Sequence, residues 1–340
     1  MGNAVGAGLG LGLGIGAAIG AIGAASLAQA ADPDVGHLQK SSADPDVGHL
    51  QKSSEAYQCN TEDIDESSAE VLCDAMRYVK DNMMMIQVQV LGTTKKFWRL
   101  TDEATRISRK LALILRSHHL AGKSLTAPLQ VSNVWIGRTT GSVKLRDVSF
   151  TCNYFSIKRV RDDYKHLFMV LVSLISISCG NNAELPPDYL EFLLLLRSNT
   201  LTMKDEFLIV NHAALLPMKN RTEVFLMLHN IIVKYLGRTK QGREKKKRIL
   251  SKLPYNDWLD TAKKNQIINQ WVDDVEHQYR RTSIDLLRLN RNVRCHSHDY
   301  GDADIEEVLY CEWPELLMVM EKLLHLEGEL EGTDIQNKFG

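Results

Sequence analysis

Side chains that could bind a phosphate are concentrated near the end of the chain, between Tyr279 and His296. Arg288 and Arg291 are three residues apart and would share one face of a helix. A planar guanidinium can hold a phosphate through two parallel hydrogen bonds. Asn292 and His296 follow where we expect the helix to run out into a loop. The alternative is structural, because such residues commonly cap helices and pair with acids.

A helix must position these side chains, and the local sequence predicts one. Thr282 and Asp285 have the spacing of a capping box, which would start the helix. Ile284, Leu286 and Leu287 would then give the helix a buried apolar face.

A second candidate for phosphate contact is the basic segment 234–248, in which eight of fifteen residues are Lys or Arg. Such a segment can bind RNA phosphates nonspecifically. It could equally be a solvated loop or a nuclear localisation signal. The nearby aromatic residues Tyr235 and Trp258 are expected in the core and not in a base-stacking platform. The candidate RNA-binding residues of this segment are Lys245, Lys246, Lys247 and Arg248.

Upstream, the sequence predicts a mixture of helix and short strands. Alternating residues over Met85–Leu91 predict a strand, and apolar residues at helical spacing predict a helix over Ala104–His119. Val131–Ile136 and Ser142–Leu145 are predicted to be two strands joined by a tight turn. Helices are predicted from there almost to the end, so the fold class is mainly α.

Composition restricts the classes of function. The chain has 340 residues, 44% of them hydrophobic, which is enough for more than one domain with its own core. The net charge of −1 gives no global signature of a nucleic-acid binder, so any RNA affinity must be local. Six widely spaced cysteines predict reduced, mostly buried thiols in a cytoplasmic protein, and neither a disulfide framework nor a zinc site.

The first seventy residues differ in composition from the rest. Residues 1–31 form a Gly/Ala-rich hydrophobic leader without charge, which we expect to be disordered and low in complexity, although residues 2–31 could attach to a membrane. A twelve-residue sequence occurs twice in tandem, as Ala31–Ser42 and Ala43–Ser54, which is too few copies for a solenoid. We interpret residues 32–70 as an acidic linker.

The segment from Ala104 to Asp147 resembles the catalytic region of a protein-kinase C-lobe. The resemblance places Asn133 and Asp147 at the positions of the two metal-binding residues of a kinase. Pro128 stands where the family has its catalytic base, and proline cannot accept a proton. We therefore expect no kinase activity, and we interpret Asn133 and Asp147 as loop-capping relics of a kinase motif.

The segment from Tyr279 to His296 resembles the signature of the kinase-extension nuclease (KEN) domain, found in ribonuclease L and in the kinase–nuclease sensor of the unfolded-protein response. A later segment around Trp313 and Leu317 resembles the closing helix of that domain. The resemblance implies metal-independent RNA cleavage without a cofactor. It also implies that Tyr279 and His296 form the acid–base pair, with Arg291 and Asn292 as phosphate donors.

The sequence therefore predicts a degenerate kinase C-lobe remnant over residues 71–211, fused to an all-helical KEN-like nuclease domain over residues 212–330. The implied partners are RNA and a second chain, either the same protein or a related kinase–nuclease. The competing hypothesis is a pseudoenzyme scaffold that dimerises with kinase–nuclease relatives and regulates them.

Overall fold

The computed structural model describes residues 70–180, 183–272, 278–296 and 300–339. This part of the chain is mainly helical, as the sequence predicts. Its strands are β1 (Leu72–Asp74), β2 (Met85–Gln89), β3 (Lys96–Leu100), β4 (Ser124–Leu125), β5 (Val134–Gly137), β6 (Val143–Leu145) and β7 (Phe150–Thr151). Its α-helices are α1 (Ala75–Asp81), α2 (Asp102–Leu120), α3 (Ile157–Cys179), α4 (Pro187–Leu196), α5 (Asp205–Val210), α6 (Met218–Asn230), α7 (Lys240–Ser251), α8 (Trp258–Lys264), α9 (Gln266–Val272), α10 (Ser283–His296), α11 (Asp302–Glu312) and α12 (Leu316–Leu326).

The leader predicted for residues 1–31 and nearly all of the predicted linker lie outside the described residues. Within the residues described, no helix has the combination of length and apolar composition that crossing a bilayer requires.

The first half of the described chain builds its core around α2 and α3. Thr101 begins α2, because its side chain accepts a hydrogen bond from the Ala104 amide. Ile107, Leu111 and Leu115 follow at helical spacing and are fully buried. The predicted helix over this segment is therefore confirmed, with its ends one or two residues further out.

The strands form three small antiparallel sheets: β1–β5–β6, β2–β3 and β4–β7. The strand predicted over Val131–Ile136 is only half correct, because Val131–Asn133 forms a 3-10 turn. The Asn133 side chain accepts a hydrogen bond from the Gln130 amide at 2.9 Å and donates one to the Arg146 carbonyl at 3.1 Å. This local bonding competes with strand pairing, so the strand begins only at Val134.

The described cysteines are all free thiols. The expectation that they would be mostly buried is wrong, because only Cys73 is buried and Cys152 is exposed. The remaining three are half-buried.

The second half of the described chain has its own core, assembled from α6 to α12. Trp258 of α8, Leu286 and Leu287 of α10, and Met320 of α12 are among its most buried members. The two cores meet over residues 208–216, where successive side chains point into one or the other. The predicted domain boundary between residues 211 and 212 falls in this segment.

A buried polar cluster joins the two halves. Arg221 of α6 lies 3.3 Å from a carboxylate oxygen of Asp188, which is the second residue of α4. The Tyr310 hydroxyl donates a hydrogen bond to the same carboxylate at 2.8 Å, and the Arg221 guanidinium lies 4.1 Å from the Tyr310 ring centroid. Because removing one partner would leave a buried charge unpaired, the contacts of Arg221 and Asp188 strongly favour one relative placement of the two halves.

The β2–β3 hairpin makes a second connection by reaching from the first half onto the second. Asn265 donates a hydrogen bond to the Leu91 carbonyl at 3.0 Å, and the Gln266 amide donates one to the Gly92 carbonyl at the same distance. Lys95 pairs with Glu312 at 2.9 Å. The tip of the hairpin is thus bonded to the segment between α8 and α9.

Candidate active site

The candidate residues are presented by α10. The Thr282 side chain accepts a hydrogen bond from the Asp285 amide at 3.2 Å, and the Asp285 carboxylate accepts one from the Arg280 amide at 3.0 Å. Thr282 and Asp285 therefore start the helix, although Asp285 bonds the Arg280 amide where a capping box would use the Thr282 amide. The helix continues through His296, so the expectation that it would run out into a loop before Asn292 and His296 is wrong.

The inner face of α10 explains this length. Leu286, Leu287, Leu289 and Val293 are fully buried in the second core. Arg294 then anchors the last turn, since its guanidinium forms two hydrogen bonds to the Glu306 carboxylate, at 2.7 and 2.9 Å. Because apolar packing stabilises α10 along its length and the bidentate Arg294–Glu306 ion pair stabilises its last turn, the helix is longer than its helix propensity alone would give.

Three of the predicted catalytic residues are joined by hydrogen bonds. The Asn292 side-chain nitrogen donates to the Tyr279 hydroxyl at 3.0 Å, and Arg291 donates to the Asn292 side-chain oxygen at 3.1 Å. Asn292 is buried, whereas Arg291 is exposed and Tyr279 is half-buried. This geometry favours Asn292 as the residue that orients its two neighbours, leaving Arg291 as the side chain best placed to contact a phosphate.

The Tyr279 ring is held from two further sides. Trp258 packs against it edge to face, with ring centroids 6.3 Å apart. The Arg288 guanidinium lies 4.6 Å from the ring centroid, and Arg288 also donates a hydrogen bond to the Gln278 carbonyl at 2.8 Å. Arg288, predicted to bind RNA, is exposed and sits beside the Tyr279 hydroxyl cluster.

The position of His296 follows from the helix. It is the last residue of α10, it is exposed, and it lies four residues after Asn292 and eight after Arg288. Residues at this spacing share a helix face, so Arg288, Asn292 and His296 form one row. The described contacts link Tyr279, Arg288, Arg291 and Asn292, and His296 extends the same row by one turn.

The basic segment is not the solvated loop that the sequence allowed. Lys240–Ser251 forms α7, and three of the four RNA-binding candidates on it are committed to intramolecular bonds. Arg248 makes a bidentate pair with Glu327, and Lys245 pairs with Glu329. Lys246 donates a hydrogen bond to the Val233 carbonyl at 2.9 Å. Lys247 is exposed.

The expectation for the nearby aromatic residues is half correct. Trp258 is 1% exposed and belongs to the core, as predicted. Tyr235 is 54% exposed, so its predicted place in the core is wrong. The reason is a π-helical turn over Ile231–Tyr235, which sequence periodicity does not reveal and which turns Tyr235 to the surface.

Asn133 and Asp147, which the sequence analysis interpreted as relics of a kinase motif, lie in the first half of the chain and not on α10. Asn133 bonds its own loop, as a capping residue does. Asp147 has a left-handed backbone with φ of 57°, which aspartate tolerates better than most residues. Pro128 lines an open surface pocket of about 450 Å³ with residues that include Lys158 and Arg159.

A buried histidine beside the site was missed by the sequence analysis. Burial, together with the positive charges of Arg291, Lys234 and Lys246, lowers the pKa of His229 to about 4. The imidazole of His229, on α6, therefore lies within the electrostatic influence of basic side chains from α7, α10 and the π-helical turn. The basic composition of segment 234–248 was the only sequence signal for it.

Comparison with protein-family models and with curated proteins finds no match to this chain. The case for its function therefore depends on the residues and geometry described above.

Proposed function

We propose that this protein is a metal-independent RNA endonuclease of the KEN type, with a kinase remnant that does not transfer phosphate. The observation that carries the proposal is the bonded set Tyr279–Asn292–Arg291 at the surface, with His296 one turn further along the same helix. A phenol, an imidazole and a guanidinium presented by one helix and the segment that precedes it are the groups that phosphodiester cleavage requires.

The proposed reaction uses the RNA's own 2′-hydroxyl as the nucleophile. A base removes the 2′-hydroxyl proton, the 2′-oxygen attacks phosphorus, and the bond from phosphorus to the 5′-oxygen breaks. An acid protonates the departing 5′-oxygen, leaving a 2′,3′-cyclic phosphate and a free 5′-hydroxyl. His296 and Tyr279 form the acid–base pair, and Arg291 stabilises the charge that develops on the phosphate oxygens.

Asn292 has a positioning role in this proposal. Its amide bonds both the Tyr279 hydroxyl and the Arg291 guanidinium, so it fixes the separation of the acid–base group and the phosphate donor. Trp258 and Arg288 restrict the Tyr279 ring in the same way. Such preorganisation lowers the reorganisation needed as charge develops.

The kinase half is proposed to be inactive because Pro128 occupies the position of the base and has no group to accept a proton. Its role in the proposal is mechanical: α4 and the β2–β3 hairpin contact α6, α11 and the start of α9, and these helices pack against α10, which carries the nuclease residues.

The first prediction tests the nuclease directly with His296→Ala, Tyr279→Phe and Arg291→Ala. Purified full-length wild type should cleave single-stranded RNA in EDTA and leave 2′,3′-cyclic phosphate ends. Loss of His296 or of the Tyr279 hydroxyl should lower kcat by about 10²–10⁴-fold, the usual contribution of a general acid or base. Because His296 and Arg291 are exposed, circular dichroism should show all three variants folded.

Two outcomes would contradict the proposal. Activity that appears only when a divalent metal is added would exclude the mechanism. Wild type without any cleavage, combined with tight association with a kinase–nuclease relative, would favour the competing scaffold hypothesis.

A further inference from the structure

The π-helical turn Ile231–Tyr235 presents an aromatic and a basic side chain that the proposed catalysis does not use. Tyr235 is 54% exposed, and Lys234 beside it is exposed as well. π-Helical turns are rare and frequently occur at functional sites, because they disrupt regular helical bonding to place a side chain.

The Tyr235 ring is exposed, but it is in contact with a neighbouring cation. The Arg238 guanidinium lies 4.5 Å from the ring centroid, which restricts the ring and adds positive charge. More than half of the side chain remains open to solvent. An exposed, restrained aromatic ring among cations is the usual platform on which a nucleic-acid base stacks.

This turn lies next to the proposed active site. The basic helix α7 packs against both the π-helical turn and α10, so it connects the turn that carries Lys234 to the helix that carries Arg291. Lys246 reaches the same place from α7, where its ammonium group donates a hydrogen bond to the Val233 carbonyl at 2.9 Å. The π-helical turn, α7 and α10 are therefore neighbouring elements, and each carries a basic side chain: Lys234, Lys246 and Arg291.

We propose that Lys234 and Tyr235 form a subsite for a nucleotide that flanks the scissile phosphate, with Tyr235 stacking on its base and Lys234 binding its phosphate. The ligand class is a single-stranded RNA nucleotide of any base, since stacking on a tyrosine does not select among bases. This inference depends on the proposed nuclease function, because the flanking nucleotide is defined relative to the phosphate at Arg291.

The test uses an otherwise 2′-O-methylated RNA in which one 2′-hydroxyl remains, so that cleavage can occur at one position only. An abasic residue is then placed at each flanking position in turn, and kcat/KM is measured for wild type and for Tyr235→Ala. At one flanking position, the abasic replacement should lower kcat/KM of wild type roughly tenfold, which is the usual loss when a base–aromatic stack is removed. The same abasic change should have no effect in Tyr235→Ala.

Matched variants separate stacking from other causes. Tyr235→Phe keeps the ring and should behave as wild type. Tyr154→Ala removes a tyrosine that is 87% exposed in the first half of the chain and should leave cleavage unchanged. Lys234→Gln should make the slope of log affinity against log salt concentration less steep, by the amount expected for the loss of about one phosphate contact. Lys80→Gln, an equal charge change on α1, should not alter it.

The results distinguish this inference from the proposed function. If wild type cleaves the RNA, and abasic residues affect wild type and Tyr235→Ala equally at every position, the subsite does not exist although the nuclease does. A Tyr235→Ala loss that Tyr235→Phe shares equally would also overturn the stacking role. If wild type cleaves no RNA of any kind, the nuclease proposal fails, and the subsite fails with it.

Discussion

Asn292 organises the candidate site at the scale of single residues. It is thirteen positions from Tyr279 in sequence, yet its amide meets the Tyr279 hydroxyl and the Arg291 guanidinium. Both bonds form where water is largely excluded, because Asn292 is 7% exposed. A buried amide with two directed bonds fixes its partners more firmly than a solvated one, so Asn292 sets the geometry of the half-buried Tyr279 hydroxyl and the exposed Arg291 guanidinium.

Burial also decides the protonation state of single histidines. His212 is 3% exposed at the junction between the two halves, and its Nδ1 accepts a hydrogen bond from the Ala214 amide. Burial lowers the pKa of His212 to about 3, and the positive charges of Lys322 and Arg221 act in the same direction. His212 is therefore neutral throughout the physiological range.

The prediction for His212 concerns stability against pH. Its pKa is lower in the folded state than the ordinary value near 6.5, so below that value the unfolded state binds the extra proton. The His212 contribution is complete above about pH 6.5 and is lost as the pH falls toward 3. Between pH 7 and pH 5 it should remove about 2 kcal/mol from the free energy of unfolding.

Urea unfolding of wild type and His212→Asn at both pH values checks this. Asparagine can cap Ala214 but does not titrate, so the variant should lose about 2 kcal/mol less than wild type on acidification. Equal losses in the two proteins would show that His212 does not carry the effect.

At the scale of elements, α10 is the helix on which the site depends. Its existence was predictable, because Thr282, Asp285 and the buried leucines are local signals. Its length was not predictable, because the last turn is held by Glu306, twelve residues beyond Arg294 in sequence. Local periodicity carries no information about such a distant partner.

The π-helical turn and α7 illustrate the same limit. The basic residues of segment 234–248 were visible in the sequence. The sequence did not show which of them would pair with acidic side chains in the folded protein. Glu327 and Glu329 lie about eighty residues away and pair with Arg248 and Lys245. The exposure of Tyr235 likewise depends on how the turn packs, which composition cannot specify.

The element-scale prediction concerns the buried ion pair that ends α10. Arg294 and Glu306 are each at least 95% buried, and Arg221 also approaches Glu306 at 3.9 Å. Glu306→Gln should therefore cost about 3–5 kcal/mol of unfolding free energy, because it leaves buried positive charge without its partner. Urea denaturation at neutral pH measures the loss.

The control for Glu306→Gln is the exposed pair between Arg281 and Asp260, which has a bidentate geometry with distances of 2.7 and 2.6 Å. Asp260→Asn should change stability little, because solvent screens a surface pair. If Glu306→Gln were as mild as Asp260→Asn, the pair would not anchor α10, and the helix would owe its length to apolar packing alone.

At the scale of the whole molecule, the first half of the described chain supports the second half, which carries the candidate site. The buried contacts of Arg221 with Asp188 and Tyr310 lie on one side, and the β2–β3 hairpin reaches across to Asn265 and Gln266. The hairpin strand was predictable from its alternation, but its docking was not, because the turn sequence does not reveal which surface it will meet. The first half can therefore support the fold of the second half whether or not it has a chemistry of its own.

Substitution of Gly92, at the tip of this hairpin, tests whether the docked hairpin stabilises the second half. The φ of Gly92 is +77°, and a Cβ there would lie 2.4 Å from the Asn265 side-chain oxygen and 2.9 Å from the Ile267 amide nitrogen. Gly122 is a matched control, since its φ is +69° but a Cβ would meet nothing within 4 Å. Both substitutions to alanine incur the backbone cost of about 1–2 kcal/mol. Gly92→Ala should cost about 1–3 kcal/mol more, because the two halves must separate at this contact.

Hydrogen exchange shows where in the protein the stability lost in Gly92→Ala is lost. The Gln266 amide donates to the Gly92 carbonyl at 3.0 Å, so it should exchange faster in Gly92→Ala and at the wild-type rate in Gly122→Ala. RNA cleavage should fall in Gly92→Ala if the brace also steadies Trp258, which packs on Tyr279 and begins the helix just before Asn265. Equal stability loss and equal exchange in the two variants would show that the hairpin contact contributes nothing to the stability of the second half, which would then keep its fold without that contact.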